Sequence, residues 1–196
     1  MQSVFFALLH RLRSTMRWSG MMALQTEDVA QHCFGVALIA HALCVIDEVV
    51  YGQKTDVGKV IAASLYHDAS EAILTDVVAP VKKYNDEVAE TFARLEHIAE
   101  KQLLDTLPQE LQAAYTSAFD RTDEQVASYV HAADKLDALC KCKLEVRRGN
   151  QEFAVAARQI EAQVQAMAES MPAVQYFMER FLPAFEHSID EYRYLQ

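Results

Sequence analysis

Along most of this chain, apolar residues recur at spacings of three and four, and strict alternation over five or more positions is hard to find. That period gives each segment one apolar stripe and predicts an all-α fold. Predicted helices cover 2 to 16, 28 to 50, 56 to 73, 86 to 106, 108 to 118, 123 to 147, 151 to 170 and 173 to 193. The breaks fall at Gly20, Gly52, Pro80, Pro108, Gly149 with Asn150, and Pro172. Thr122 with Gln125 three residues on reads as a capping-box start, and either Asp28 or Thr26 suits the start of the second helix. Pro183 lies inside the last apolar pattern and is expected to kink that helix.

The chain has 196 residues, a length that fits one compact domain spanning 1 to 196. No repeat, low-complexity tract or long linker divides it. With 52% apolar residues, 5 glycines and 4 prolines, it is composed for long helices and not for disorder. The formal charge of −10 excludes a generic binder of nucleic-acid polymers, which relies on basic side chains to displace counterions. The charged residues from Lys82 to Lys101 read as a solvated helix face. No apolar run is read as approaching the ~20 residues that span a bilayer, and charge falls within the N-terminal apolar stretch instead of ahead of it. The expectation is a soluble cytoplasmic protein with no membrane partner. Cys33, Cys44, Cys140 and Cys142 lack CxxC spacing and sit in apolar patterns, so they read as buried free thiols.

Candidate chemistry appears where polar residues interrupt apolar stripes. Val57, Val60, Ile61, Ser64 and Leu65 define a stripe that continues to Asp68, with His67 beside it and Glu71 one turn further. An imidazole and two carboxylates on one face repel and desolvate one another unless a cation joins them. His32 lies on the stripe of Val29, Val36, Ala40 and Leu43. Asp134 and Asp137 lie among Val126, Val130, Ala133, Cys140 and Leu144. Taken alone, His32 reads as a hydrogen-bonded core histidine and an inward aspartate as a helix-pairing group. The adjacent His67-Asp68 pair changes that, because imidazole plus carboxylate is a natural set for a divalent cation. No ExxH or HExxH occurs, which closes a di-iron carboxylate bundle.

His32, His67-Asp68 and Asp134 resemble the H…HD…D signature of the HD-domain phosphohydrolases. The surrounding words carry more: Arg17-Trp18, TEDVAQH ending at His32, LYHDASEAILTD from Leu65 to Asp76, Pro80-Val81-Lys82, AADKL around Asp134, and YFMERFLPAFEHSIDE from Tyr176 to Glu191. In order, they are similar to the bacterial HD-domain 5′-deoxynucleotidases of the YfbR type, over roughly residues 4 to 191. The resemblance implies an HD-domain helical bundle that forms a homodimer and removes the 5′-phosphate from deoxyribonucleoside 5′-monophosphates. It implies one divalent transition-metal cation (Co, Mn, Zn, Fe, Ni or Cu) on His32, His67, Asp68 and Asp134, with Asp137 competing for the last place. Glu71 and Asp76 match the family's catalytic carboxylates, one on the attacking water and the other toward the leaving group, in either order. Arg17 matches a phosphate-contacting arginine. Trp18 matches a residue beside the sugar, where a rigid wall would exclude a ribose hydroxyl.

Two departures from the family pattern stand out. Thr75 replaces a usual glycine before Asp76, so the backbone there must avoid a left-handed conformation or accept strain. Residues 19 to 25 carry no basic side chain, which removes possible phosphate contacts. His10, His41, His97, His131 and His187 fall outside the signature, with His131 a candidate hydrogen-bond partner of Asp134. Met21, Met22, Met167, Met171 and Met178 read as core or interface fillers. An HD-type hydrolase for another phosphoester and a non-catalytic helical binding module are the competing functional classes.

Overall fold

The computed structural model describes residues 2–120, 122–188 and 190–194. Its helices are α1 (Phe5–Leu9), α2 (Val29–Tyr51), α3 (Val57–Tyr66), α4 (Glu71–Leu74), α5 (Ala79–Lys82), α6 (Asp86–Asp105), α7 (Gln109–Phe119), α8 (Glu124–Arg147), α9 (Ala154–Ala168) and α10 (Pro172–Arg180). Short 3-10 turns cover His10–Ser14, Gln151–Phe153, Leu182–Glu186 and Glu191–Tyr194. There is no strand among the described residues, only an isolated bridge between Met16 and Asp28. The architecture is all-α, one helical bundle around a shared core.

Helix α2 is central. Val36, Ala40 and Leu43 on α2 meet Val60 on α3, Ala133, Leu136 and Leu139 on α8, Val164 on α9 and Val174 on α10. Burying each such leucine or valine contributes ~1.5–3 kcal/mol, so this contact holds the bundle together. Beyond this buried side, α2 is apolar on an exposed face as well, at Phe34, Leu38, Val45 and Val49. Its mean hydropathy reaches 2.0 over 18 residues, so one helix is in fact long and apolar enough to cross a membrane by length and composition, with half of that window buried inside the protein. A smaller cluster of Phe5, Ala69, Leu103 and Leu107, backed by Tyr66, Tyr115 and Phe119, ties α1, α6 and α7 to the end of α3. All four cysteines are free and buried. Burial pushes the Cys44 and Cys142 thiols up, to about 11 and about 12.

Local chemistry corrects several expected boundaries. Asp28, not Thr26, caps α2: its carboxylate accepts from Gln31 N at 2.8 Å while the Gln31 side chain accepts from Asp28 N at 3.1 Å. Gly52 closes that helix at φ 69°, a conformation that favours glycine. At α8 the cap is Asp123, which accepts from Val126 N at 3.2 Å; Thr122 bonds Asp120 instead, at 2.6 and 2.8 Å. The N-terminal helix predicted over 2 to 16 is shorter and finishes as a 3-10 turn. Pro80 lies in the first turn of the unforeseen α5, a position that suits proline. Pro183 does not kink a long helix. Without an N–H to bond the carbonyl of residue 179, it lies in the first turn of Leu182–Glu186 after α10 has ended. Ile189, within the range predicted for that helix, lies outside the described residues.

The helix predicted over 56 to 73 is divided. Between α3 and α4, Ala69 N bonds Tyr66 O at 3.0 Å, Glu71 N bonds Asp68 O at 3.0 Å and Ala72 N bonds Ala69 O at 3.1 Å. These three-residue turns are tighter than an α-helix and bring side chains three apart into line, so Glu71 follows Asp68.

The loop from Arg17 to Asp28 has little regular structure, yet both ends are pinned: Arg17 N bonds Glu27 O and Val29 N bonds Thr15 O, each at 2.9 Å. Its middle is clamped by Glu145, a fully buried residue on α8. That carboxylate accepts from Leu24 N at 2.8 Å, Gln25 N at 3.0 Å, Lys141 Nζ at 2.6 Å and Asn150 Nδ2 at 2.9 Å. Burial alone would raise its pKa, but these donors hold it at about 2 against an ordinary 4.5. A carboxylate lowered on folding stabilises the fold above its unfolded pKa, and that contribution fades as pH falls from 4.5 toward about 2. Glu145→Gln is therefore expected to lower stability by about 3 kcal/mol at neutral pH, the order of cost for breaking a buried ion pair. Denaturant unfolding at several pH values should show the gap between variant and wild type closing through that window.

Candidate metal centre

His32, in the first turns of α2, has a fully buried side chain whose two ring nitrogens face different surroundings. Nδ1 lies 2.7 Å from Asp137 Oδ2. Nε2 lies 3.2 Å from Asp134 Oδ1, 3.6 Å from Asp68 Oδ2 and 3.3 Å from His67 Nε2. His67 ends α3 and gives Nδ1 to the carbonyl of Ser64 at 2.7 Å. A carbonyl only accepts, so in neutral His67 the proton sits on Nδ1 and the lone pair on Nε2. Asp137 Oδ2, placed to accept from Nδ1, fixes the same tautomer for His32. Two imidazole lone pairs are thus directed at one another, and His67 Nε2 is also 3.2 Å from Asp68 Oδ2. His32, His67 and Asp68 each offer a donor atom within 4.8 Å of the others.

Electrostatics point the same way. Burial would lower the His32 pKa, but its bonds to Asp134 and Asp137 raise it. Burial is also overcome at His67, which Asp68 raises well above its usual value. Asp68 and Asp134 are held well below the ordinary carboxylate range by the two imidazoles despite burial, with Lys135 adding to the effect on Asp134. Rings that hold a proton above their usual pKa and carboxylates held ionised mark one place that attracts positive charge, a proton or a cation. Two nitrogens and two carboxylates fit a divalent transition ion better than magnesium or calcium, which prefer all-oxygen shells. Asp137, the rival of Asp134, sits on the far edge of the His32 ring.

The other carboxylates divide by environment. Glu71 is buried, with Oε1 3.2 Å from Lys82 Nζ, while its Oε2 has no hydrogen-bond partner among the described residues. Burial first, then repulsion from Asp68 and Asp76, raises its pKa to about 8 against the pull of Lys82. Lys82 also reaches Glu96 at 3.1 Å. The expected solvated face from 82 to 101 is therefore corrected at Lys82 and Glu96, which form a bridge to the site, and at the buried Glu100. Asp76 is half-buried, and burial raises its pKa against the opposing charges of Arg17 and Lys82. The residue before it, Thr75, takes φ 65° and ψ 168°, so the strained alternative is the one adopted.

Arg17 and Trp18 share one partner. Glu27 Oε2 accepts from Arg17 Nη1 at 3.0 Å and from Trp18 Nε1 at 2.8 Å. Trp18 is held at φ 61°, another left-handed residue, and its ring packs on Phe153 with centroids 5.3 Å apart. Burial would lower the Arg17 pKa, but Glu27 and then Asp134, Asp68 and Asp137 raise it, so its charge faces the cluster. A cavity of ≈ 260 Å³ opens beside it, lined by Tyr66, His67, Asp68, Phe119, Val130 and Asp134 among others. His131 is exposed, and the Asp134 oxygen expected to use it is taken by Lys135 Nζ at 2.7 Å. Met22 is 83% exposed and fills no core. Glu27, Lys82 and Glu145 are parts to which sequence reasoning gave no role: the first two stood inside family words and the third inside the α8 pattern between Leu144 and Val146, and their partners lie on other segments.

The fold is that of the HD-domain phosphohydrolases. The structure of such an enzyme from Listeria innocua matches with a TM-score of 0.82 at 23% identity, covering 96% of this chain and 91% of that one. A cyanophage S-2L HD phosphohydrolase, bound to dA and one catalytic zinc ion, matches with a TM-score of 0.61 at 16% identity, covering 90% and 95%. The family model of YfbR-like 5′-deoxynucleotidases matches residues 4–185. The 5′-deoxynucleotidase YfbR of Escherichia coli O1:K1 is 38% identical over 97% of this chain and 96% of its own length. The chain belongs to the YfbR-like 5′-deoxynucleotidase family.

Thr75→Gly is expected to relieve strain of about 1–3 kcal/mol at the cost of about 1 kcal/mol of chain entropy. A net gain of about 1 kcal/mol in urea unfolding, with no change in metal affinity, is the expected result.

Proposed function

We propose that this protein is a metal-dependent phosphomonoesterase that converts deoxyribonucleoside 5′-monophosphates and water into deoxynucleosides and phosphate. The carrying observation is the convergence of His32 Nε2, His67 Nε2, Asp68 and Asp134, with Glu71 nearby holding an unpartnered buried oxygen. Membership of the family and the 38% identity to a named 5′-deoxynucleotidase support the substrate class.

His32, His67, Asp68 and Asp134 would hold one divalent cation, which when bound lowers the pKa of a water and polarises the phosphoryl group. Glu71 would orient the attacking water through Oε2 and take its proton; a group whose pKa lies near neutrality suits this work. Asp76, whose pKa burial raises above the ordinary carboxylate value, supplies the proton to the departing 5′-oxygen. Arg17 binds the non-bridging phosphate oxygens with its planar fork. Trp18, immobilised by Glu27 and Phe153, walls the sugar at C2′ and excludes a ribose hydroxyl.

The reading includes a cytoplasmic homodimer. Buried free thiols support a reducing compartment, and an exposed apolar stripe of Phe34, Leu38, Val45 and Val49 along α2 supports pairing of two copies.

The deciding experiment is phosphate release from 5′-, 3′- and 2′-monophosphates of both sugars, after chelation and add-back of single metals. Activity is expected only on 5′-deoxynucleotides and only with a transition ion, with His67→Ala and Asp68→Ala losing at least about a thousandfold, of the order seen when a key catalytic group is removed. Equal turnover without metal overturns the reading. Trp18→Ala is expected to narrow the ratio of dAMP to AMP turnover, and an unchanged ratio removes the steric account of sugar choice.

A further inference from the structure

Asp134 and Asp137 lie one turn apart on α8 and grip opposite edges of the same ring: Asp134 Oδ1 is 3.2 Å from His32 Nε2, and Asp137 Oδ2 is 2.7 Å from Nδ1. We propose that Asp137 is a positioning residue for the metal centre, and that Gly35 is glycine in order to leave room for it. The inference deepens the metal reading above and rests on it.

The ring of His32 is fully buried, so bulk water is not there to replace the Asp137 contact. Without that carboxylate, the imidazole either leaves a buried N–H unsatisfied or moves its proton to Nε2. The second choice removes the lone pair that a cation needs. A carboxylate on the outer nitrogen prevents both, and also makes the inner nitrogen more basic.

Gly35 supplies an independent observation. It lies inside α2, three residues after His32, and is not among the residues with positive φ, so the backbone does not demand glycine there. In a helix interior glycine costs about 1 kcal/mol relative to alanine. What demands it is space: a Cβ at this position would lie 2.1 Å from Asp137 Oδ1 and 3.0 Å from its Cγ. Any side chain at residue 35 must push the carboxylate away, and the contact with His32 is lost with it. The cost in helix propensity is offset by the approach of α8 to the ring.

The test uses Co(II) as the probe, with dissociation constants from competition against a chelator and the visible absorption bands of the loaded protein. Asp137→Ala and Gly35→Ala are each expected to weaken Co(II) binding by about 10–100-fold. In the double variant the new methyl enters the space that Asp137 has left, so affinity should be no weaker than in Asp137→Ala alone. Histidine ¹⁵N spectra of the metal-free proteins, recorded at a pH high enough to leave the ring neutral, should show His32 gaining the Nε2-protonated form in both single variants, a change that loss of stability would not produce. Multiplying losses in the double variant, or Asp137→Ala binding Co(II) like wild type, would overturn the inference while leaving the metal reading intact. Wild-type protein that takes up no Co(II) would overturn the metal reading itself. Should Gly35→Ala fail to fold, Asp137→Ala and Asp137→Asn still decide: wild-type affinity in the alanine variant refutes the role, and an intermediate affinity in the asparagine variant, which keeps an acceptor oxygen without the charge, upholds it.

Discussion

Two imidazoles face one another across 3.3 Å with carboxylate oxygens on the same side, and each ring has its other nitrogen committed to the protein. Everything else in the molecule makes that arrangement possible. Nitrogen lone pairs so close together repel, and ionised oxygens beside them are costly to remove from water, so the cluster is a stored demand for positive charge. The demand can be sustained only because α2, α3 and α8 are locked by an apolar core. Were that packing looser, the side chains would turn to solvent and the charge would disperse. A hydrolytic centre needs this property, since a cation bound by a rigid and incomplete set of protein donors retains room for water and substrate.

Around the cluster, environment assigns different work to chemically similar groups. Asp68 and Glu71 are both carboxylates on one short stretch of chain, yet the imidazoles lower the first while burial and neighbouring acids raise the second to about 8. Such a separation of pKa values suits the ligand and proton-acceptor roles proposed for them. Lys82 moderates the separation from a four-residue helix, and Glu96 on α6 holds Lys82 in turn. The Arg17–Trp18 segment, proposed to meet the substrate, is organised on the same plan. Glu27 joins Arg17 to Trp18 through a single oxygen, and Glu145 clamps the loop that carries them. Strain accumulates where the loop and the turn approach the site, at Trp18 and Thr75. Such strain is typical of functional sites, where surrounding structure imposes a conformation that the residue would not choose.

The helical class and the inward residues were legible from local pattern alone, because the 3.6-residue period and the capping chemistry involve neighbours in sequence. His32, His67, Asp68 and Asp134 stood out as polar interruptions of apolar stripes, and the words around them carried the family. Boundaries were less legible where two local rules compete. The tight turns after His67 interrupt a perfectly periodic stripe, and the carboxylate of Asp123 displaces Thr122 as a cap.

Partnership across the fold was a different matter. The AADKL word favours Asp134 over Asp137, three positions apart, through family resemblance; that the two grip opposite edges of the His32 ring is set by the approach of α8 to α2, with Gly35 at the point of contact. The roles of Glu27, Lys82 and Glu145 likewise depend on segments as much as 121 residues away in the chain. Sequence by itself determined which side chains turn inward, since that is a property of one helix and its period. Only the tertiary structure decided what each of them meets, because hydrogen bonds and charge repulsion act over a few ångströms and packing alone sets which atoms come that close.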